Sequence, residues 1–152
     1  MSGEIVESFT LDHRKVKAPF VRKCSVETGK NGDKVSKFDL RFAQPNKEEV
    51  ESPALHTLEH IMAGAMRKKI PEIIDVSPMG CRTGFYLTVW GEPSPKEIGE
   101  ALVYALREVL DAEEIPAQNE IQCGNYRLHS LEGAKKWAEK ILASNKDLTE
   151  IF

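Results

Sequence analysis

Apolar and polar residues alternate along two early stretches of the chain. In residues 19–27, PFVRKCSVE, one side carries Phe20, Arg22, Cys24 and Val26 and the other Val21, Lys23, Ser25 and Glu27. This mixed pattern, rich in β-branched residues, suits a pleated strand. Residues 37–42, KFDLRF, alternate more cleanly. Between them TGKNGD supplies Gly29 and Asn31-Gly32, which accept the positive φ angles of a hairpin connection, so the two strands are expected to pair antiparallel. Residues 83–91, TGFYLTVWG, read as a third strand, apolar on both faces and therefore central, and residues 72–77 as a short fourth.

The apolar spacing then changes to a helical period. Ser52-Pro53 offers an N-cap and an N1 proline for a helix running to about Lys69, ahead of Pro71. Ser94-Pro95-Lys96-Glu97 is a capping box for a second helix, in which Ile98, Leu102, Ala105, Leu106 and Val109 share a face and which closes between Asp111 and Pro116. A third begins near Leu131 and puts Ala134, Trp137, Ala138, Ile141 and Leu142 on one stripe. Hairpin-paired strands with one-sided helices predict an α+β fold, a mostly antiparallel sheet with helices packed on one face.

Length and charge narrow the function. A chain of 152 residues that is 41% hydrophobic suits one domain, residues 1–152, with a real core. Lys and Arg total 21 and Asp and Glu 24, for a net charge of −3. That balance gives no general attraction to nucleic acid or acidic membranes and favours a small-molecule partner. No run of about 18 apolar residues and no apolar leader occurs, so the expected location is the cytoplasm. The three cysteines, Cys24, Cys81 and Cys123, are odd in number and widely spaced. They do not read as a disulfide framework, which leaves thiols free for metal or catalysis.

The candidate chemistry starts in the first helix, at ALHTLEHIMAGAM, residues 54–66. At about 100° per residue Leu55, Leu58, Met62 and Ala65 form the core stripe, while His56 and His60 lie roughly opposite with Glu59 at the edge of their face. Ala63 and Gly64 beside them let another segment approach. Two imidazoles one turn apart can bind one first-row metal ion, but a third ligand must come from elsewhere. By spacing alone a solvated face with two surface histidines is an equal reading. The third-ligand candidates are the cysteines, His13 and His129, with Cys123 favoured because Gly124 removes bulk beside a would-be thiolate. Two histidines and a cysteine leave a fourth position for water or substrate, as in catalytic metal sites, and leave Glu59 free to carry protons.

A second constellation is SPMGCRTGFY, residues 77–86, where Ser77-Pro78 and Gly80 bend the chain and display Cys81 at a strand start with Arg82 beside it. An unpaired cysteine is more often a small buried hydrophobe, but the arginine and a nearby dication favour a thiolate. Cys24, inside a strand with no partner near it, reads as core; His129 and the two tryptophans read as structural.

Taken together, VESFTLDH (6–13), KFDLRFAQPN (37–46), HTLEH (56–60), DVSPMGCRTGFY (75–86), IPAQNEIQCG (115–124) and LHSLEGAKKW (128–137) resemble the S-ribosylhomocysteine lyase (LuxS) family, in its order and over nearly the whole chain. HxxEH alone is moderately specific; with SPMGCRTGFY and QCG downstream it is highly so. The resemblance implies the family's α/β sandwich, a metal held by His56, His60 and Cys123, and Glu59 and Cys81 as the acid/base pair. It places Ser8, His13, Arg41 and Asp75, with Arg82, among positions for substrate binding or support of the site. It further implies a homodimer with two sites at the subunit interface, each reached by the neighbour's N-terminal segment and arginine. The metal is implied to be Fe(II), replaceable by Zn(II) or Co(II). The implied reaction splits S-ribosylhomocysteine into homocysteine and 4,5-dihydroxy-2,3-pentanedione, the autoinducer-2 precursor. Ala43 departs from members that carry cysteine there, away from the implied chemistry.

Two other classes share parts of this pattern. A metallopeptidase of the HxxEH type uses the glutamate against a peptide bond, but usually takes a glutamate as third ligand in a far larger protein. A small structural metal-binding domain would fill all four coordination places and give Cys81 no role.

Overall fold

The strands and helices follow from two periods, about 2 and about 3.6 residues, read off the chain in turn. The computed structural model describes residues 5–152. A short 3-10 turn, Glu7–Phe9, precedes β1 (Phe20–Thr28) and β2 (Lys34–Arg41); α1 (Ser52–Lys69) leads into β3 (Ile73–Pro78) and β4 (Gly84–Trp90); α2 (Pro95–Asp111) and α3 (Leu131–Ala143) complete the order. The four strands form one sheet in the order β1-β2-β4-β3 with every neighbouring pair antiparallel. The expected α+β architecture is present, and β4 is an interior strand as expected.

Register sorts the sheet into two unlike faces. Phe38 pairs with Leu87 and Leu40 with Phe85, and Val76 with Leu87; these side chains join Leu58, Met62, Ile98, Leu102, Leu106 and Trp137 in one core cluster. Each such aliphatic or aromatic side chain contributes roughly 1.5–3 kcal/mol by leaving water. The helices form the second layer, α1 against β3 and α2 against β1. The opposite face is polar: Arg22 pairs with Asp39 and Asp39 with Tyr86. Contrary to the expectation of two apolar faces, β4 therefore turns Tyr86 and Thr88 away from the core.

Three local details differ from the sequence reading. Helix α1 is entered from Glu51, which makes no side-chain cap, so Ser52 and Pro53 occupy its first turn; Ser52 Oγ instead accepts from Arg82 Nη1 at 2.9 Å. Cys24 falls at a register shift between Lys23 and Ser25 and is half-buried, its thiol pushed up to about 12 by burial rather than sealed in the apolar core. Trp90 is 54% exposed at the end of β4, unlike Trp137 at 8%. The other two helix starts agree with expectation: Ser94 and Glu97 make the reciprocal capping box of α2, and Ser130 caps α3. Among the described residues no helix is long and apolar enough to cross a membrane.

One glycine is sterically required. A Cβ on Gly84 would lie 2.1 Å from Leu40 O and 2.9 Å from Arg41 Cα, because β4 starts hard against β2 where Arg41 pairs with Gly84. Gly84→Ala is expected to destabilise the protein by about 3 kcal/mol, at the upper end for overpacking, read as a fall in the denaturation midpoint.

Candidate metal centre

The amphipathic pattern of α1 decides where its histidines go. Burial of Leu55, Leu58, Met62 and Ala65 rotates His56 and His60 to the other side, where the loop before α3 covers them. Each ring is oriented by a backbone carbonyl from that region: His56 Nδ1 lies 2.6 Å from Leu128 O and His60 Nδ1 2.8 Å from Pro116 O. A carbonyl can only accept, so each Nδ1 is the N–H donor and each Nε2 keeps its lone pair. This is the outer support that metal-ligating imidazoles typically have.

Both lone pairs converge on one sulfur. Cys123 Sγ is 3.5 Å from His56 Nε2 and 3.7 Å from His60 Nε2. A tetrahedral ion with bonds of about 2.0–2.3 Å keeps its ligands roughly 3.3–3.8 Å apart, so the donor set fits one divalent ion. The loop delivers the thiol by a turn in which Cys123 N donates to Asn119 O at 3.0 Å, with Asn119 Oδ1 accepting from Ile121 N and Gln122 N. These three side chains are the expected set, brought together from positions far apart in sequence.

His129 joins them, which corrects its assignment as merely structural. Its ring stacks on that of His56 with centroids 3.8 Å apart, and its Nε2 is 3.8 Å from Cys123 Sγ. All four donor atoms lie within 4.8 Å of one another. Its Nδ1 is 2.9 Å from Thr57 Oγ1, a hydroxyl on α1 that also accepts from Ser130 N at 3.0 Å. The sequence signal was available: a histidine six residues after the cysteine, just before a helix start. Burial, then the charges of His56 and His60, push the His129 imidazole down to about 4 from 6.5.

That depression carries a sign. Between pH of about 6.5 and about 4 the unfolded chain binds a proton at His129 that the folded chain refuses, so stability rises with pH across this interval. The metal-free protein is therefore expected to lose stability as the pH falls through it. Thermal melts across the interval check this, and His129→Asn should flatten the dependence.

Glu59 stands at the rim of the cluster, with Oε2 3.9 Å from His60 Nε2 and its side chain 31% exposed. It is not one of the four clustered donors.

Cys81 belongs to a second group. The turn Met79–Arg82 closes with Arg82 N donating to Met79 O at 2.9 Å, and Arg82 takes a φ of 59°. This leaves Cys81 exposed and swings Arg82 toward the segment that leads into α1, where it pairs with Glu49 at 2.9 Å. The cation on the thiol's side is instead Arg41: its Nη1 donates to Thr83 Oγ1 at 3.1 Å, and Thr83 Oγ1 is 3.0 Å from Cys81 Sγ. Thr83 was not singled out from the sequence, where a threonine in a strand carries no signal. Burial disfavours the charge of Arg41, but two hydrogen bonds and the charge of Asp39 outweigh it and raise its pKa.

The remaining expected residues occupy the polar side of the sheet or its approaches. Ser8 lies near Tyr86, whose phenol is pushed up by burial, and beside Glu7, which ion-pairs with Arg22 at 2.5 Å. His13 is half-buried, with Nδ1 2.8 Å from Leu11 O. Asp75 is exposed on β3 and bonds Ser77 Oγ.

A four-stranded antiparallel sheet layered with helices, one of which turns two imidazoles onto a loop thiol, defines a small α+β protein with a metal-binding cluster. Comparison with known proteins gives the family: the S-ribosylhomocysteinase (LuxS) family model matches residues 6–151. The S-ribosylhomocysteine lyase of Clostridium botulinum is 63% identical over 139 residues, 91% of this chain and 92% of that protein. The lyase of Clostridium perfringens is 61% identical over 137 residues, 90% and 91% of the two chains. That of Listeria monocytogenes is 50% identical over 147 residues, 97% and 95%. The chain belongs to the S-ribosylhomocysteinase (LuxS) family.

Proposed function

We propose that the protein is a metal-dependent S-ribosylhomocysteine lyase, releasing homocysteine and 4,5-dihydroxy-2,3-pentanedione, the autoinducer-2 precursor. The observation that carries this is the convergence of His56 and His60 Nε2 on Cys123 Sγ, with a carboxylate at the rim, in a chain of this family. His56, His60 and Cys123 are the ligands, and a soft thiolate with two imidazoles suits Fe(II), Zn(II) or Co(II), with Fe(II) the native ion.

The thioether can be cleaved only after the sugar carbonyl has migrated until the sulfur lies on the carbon β to it. Each migration removes a proton α to a carbonyl and returns one to a neighbouring carbon. A bound dication supplies Lewis acidity for the negative charge that develops on the sugar oxygens, by several kcal/mol. Glu59 and Cys81 carry the protons, one group alone being unable to serve successive carbons and oxygens equally well. In the last step a proton is taken from the carbon α to the new carbonyl, the C–S bond breaks, and the sulfur leaves as homocysteine thiolate. Ser8, His13, Arg41, Asp75 and Arg82 bind the substrate or support the site, Arg41 through Thr83 and Arg82 through the start of α1.

We further propose one domain over residues 1–152, of which residues 1–4 lie outside the described part, and a cytoplasmic homodimer. Three free cysteines support a reducing compartment. Ile5 at 85% and Phe9 at 83% exposure support a second subunit over the N-terminal segment, since apolar patches of this kind mark interfaces. The partner is the small-molecule substrate, with no nucleic acid or membrane required.

Thiol release from S-ribosylhomocysteine by anaerobically purified protein, with metal analysis, tests the activity. Turnover that follows metal content is expected; peptide cleavage with no thiol release would instead identify a metallopeptidase.

A further inference from the structure

Thr83 is 4% exposed, and its hydroxyl bridges a buried cation and an exposed thiol. Arg41 is a donor only, so its 3.1 Å contact from Nη1 uses a lone pair of Thr83 Oγ1 and leaves the hydroxyl proton free. Cys81 Sγ, 3.0 Å away, is within reach of that proton. The bridge is held from both ends. Asp39 accepts from Arg41 Nε at 3.0 Å and Nη2 at 2.7 Å, which leaves Nη1 for Thr83. Thr83 O accepts from Phe42 N at 2.8 Å and Ala43 N at 2.9 Å, which clamps the residue to the end of β2.

We propose that Thr83 is a positioning residue for the Cys81 thiolate, its hydroxyl donating to the sulfur and transmitting to it the polarisation of the Arg41 guanidinium. The inference rests on the reading of Cys81 as a proton carrier. The ionisable groups around the bridge are Arg41 and Asp39 on β2 and Tyr86 on β4, with Arg22 of β1 and Glu7 of the 3-10 turn behind them. Arg82, the nearest cation in sequence, is engaged with Glu49 and Ser52. A hydrogen bond to an ionised acceptor is about twice as strong as one to a neutral acceptor. The Thr83 donor therefore favours the thiolate over the thiol.

The test is the pH dependence of Cys81 alkylation by iodoacetamide in the metal-loaded protein, with the modified cysteine identified by mass spectrometry. Thr83→Val keeps the side-chain shape and removes the hydroxyl; the alkylation midpoint is expected to rise by about one pH unit, equal to about tenfold less thiolate below the midpoint. Metal content should not change. Thr83→Ser restores the hydroxyl and should return the midpoint to that of the parent. A Thr83→Val midpoint equal to the parent's, or a Thr83→Ser midpoint displaced as far as that of Thr83→Val, overturns the proposal. Thr83→Ala is held to the same outcomes if the valine variant does not fold. Alkylation needs no substrate, so a displaced midpoint in a protein that releases no thiol from S-ribosylhomocysteine counts against the lyase reading alone, and an undisplaced one in an active lyase counts against Thr83 alone.

Discussion

Glu59→Gln is expected to retain the full metal content of the parent and to lower thiol release from S-ribosylhomocysteine by roughly 10²–10⁴-fold, the usual contribution of one general acid or base. The amide is nearly the same size as the carboxylate and stays at the rim, 3.9 Å from His60 Nε2 in the parent, but it cannot take and return a proton. His56 and His60 keep their carbonyl partners, Leu128 O and Pro116 O, so the donor set is untouched. Cys81→Ala should behave alike, because its sulfur is bonded to Thr83 rather than to the metal cluster. Steady-state turnover beside metal analysis checks both. A variant of either kind with near-normal turnover would remove that residue from the proton-transfer role.

Cys123→Ala is expected to lose metal and turnover together. The sulfur is the point on which both Nε2 atoms converge, at 3.5 and 3.7 Å, and its loss removes the one donor of the set that can bring a negative charge to a bound ion. Loss of an outer-shell partner costs about 10–100-fold in metal affinity, and removal of a direct ligand should exceed that. His129, whose Nε2 lies 3.8 Å from the sulfur, is the nearest substitute donor, so Cys123→Ala/His129→Asn should hold less metal still. Metal content after dialysis against a chelator gives the comparison. A single variant with full metal and full turnover would point to a different third ligand.

Much of the architecture is readable along the chain because periodicity is local. The 3.6-residue stripe of α1 separates Leu58 and Met62 from His56 and His60 before any neighbour is known, and the Ser94–Glu97 box locates the start of α2 within one turn. Misplaced details have physical causes. Ser52 does not cap α1, since its hydroxyl is engaged by Arg82. The open face of β4 is polar because Asp39 sits opposite Tyr86, a pairing that only register reveals. Arg82 is one residue from Cys81 yet turns away, since its φ of 59° reverses the chain there and Glu49 receives its guanidinium.

The sequence by itself determined the kinds of donor and their local geometry: two imidazoles one helical turn apart, a carboxylate beside them, and a thiol carried on a bend. These follow from residue identity and backbone period, which act over a few positions. Only the tertiary structure decided that Cys123 meets α1, that His129 comes with it, and that Arg41 rather than Arg82 reaches toward Cys81. Those contacts join segments forty or more positions apart, and they form where burial of the apolar stripes brings the helix, the loop and the ends of the central strands together.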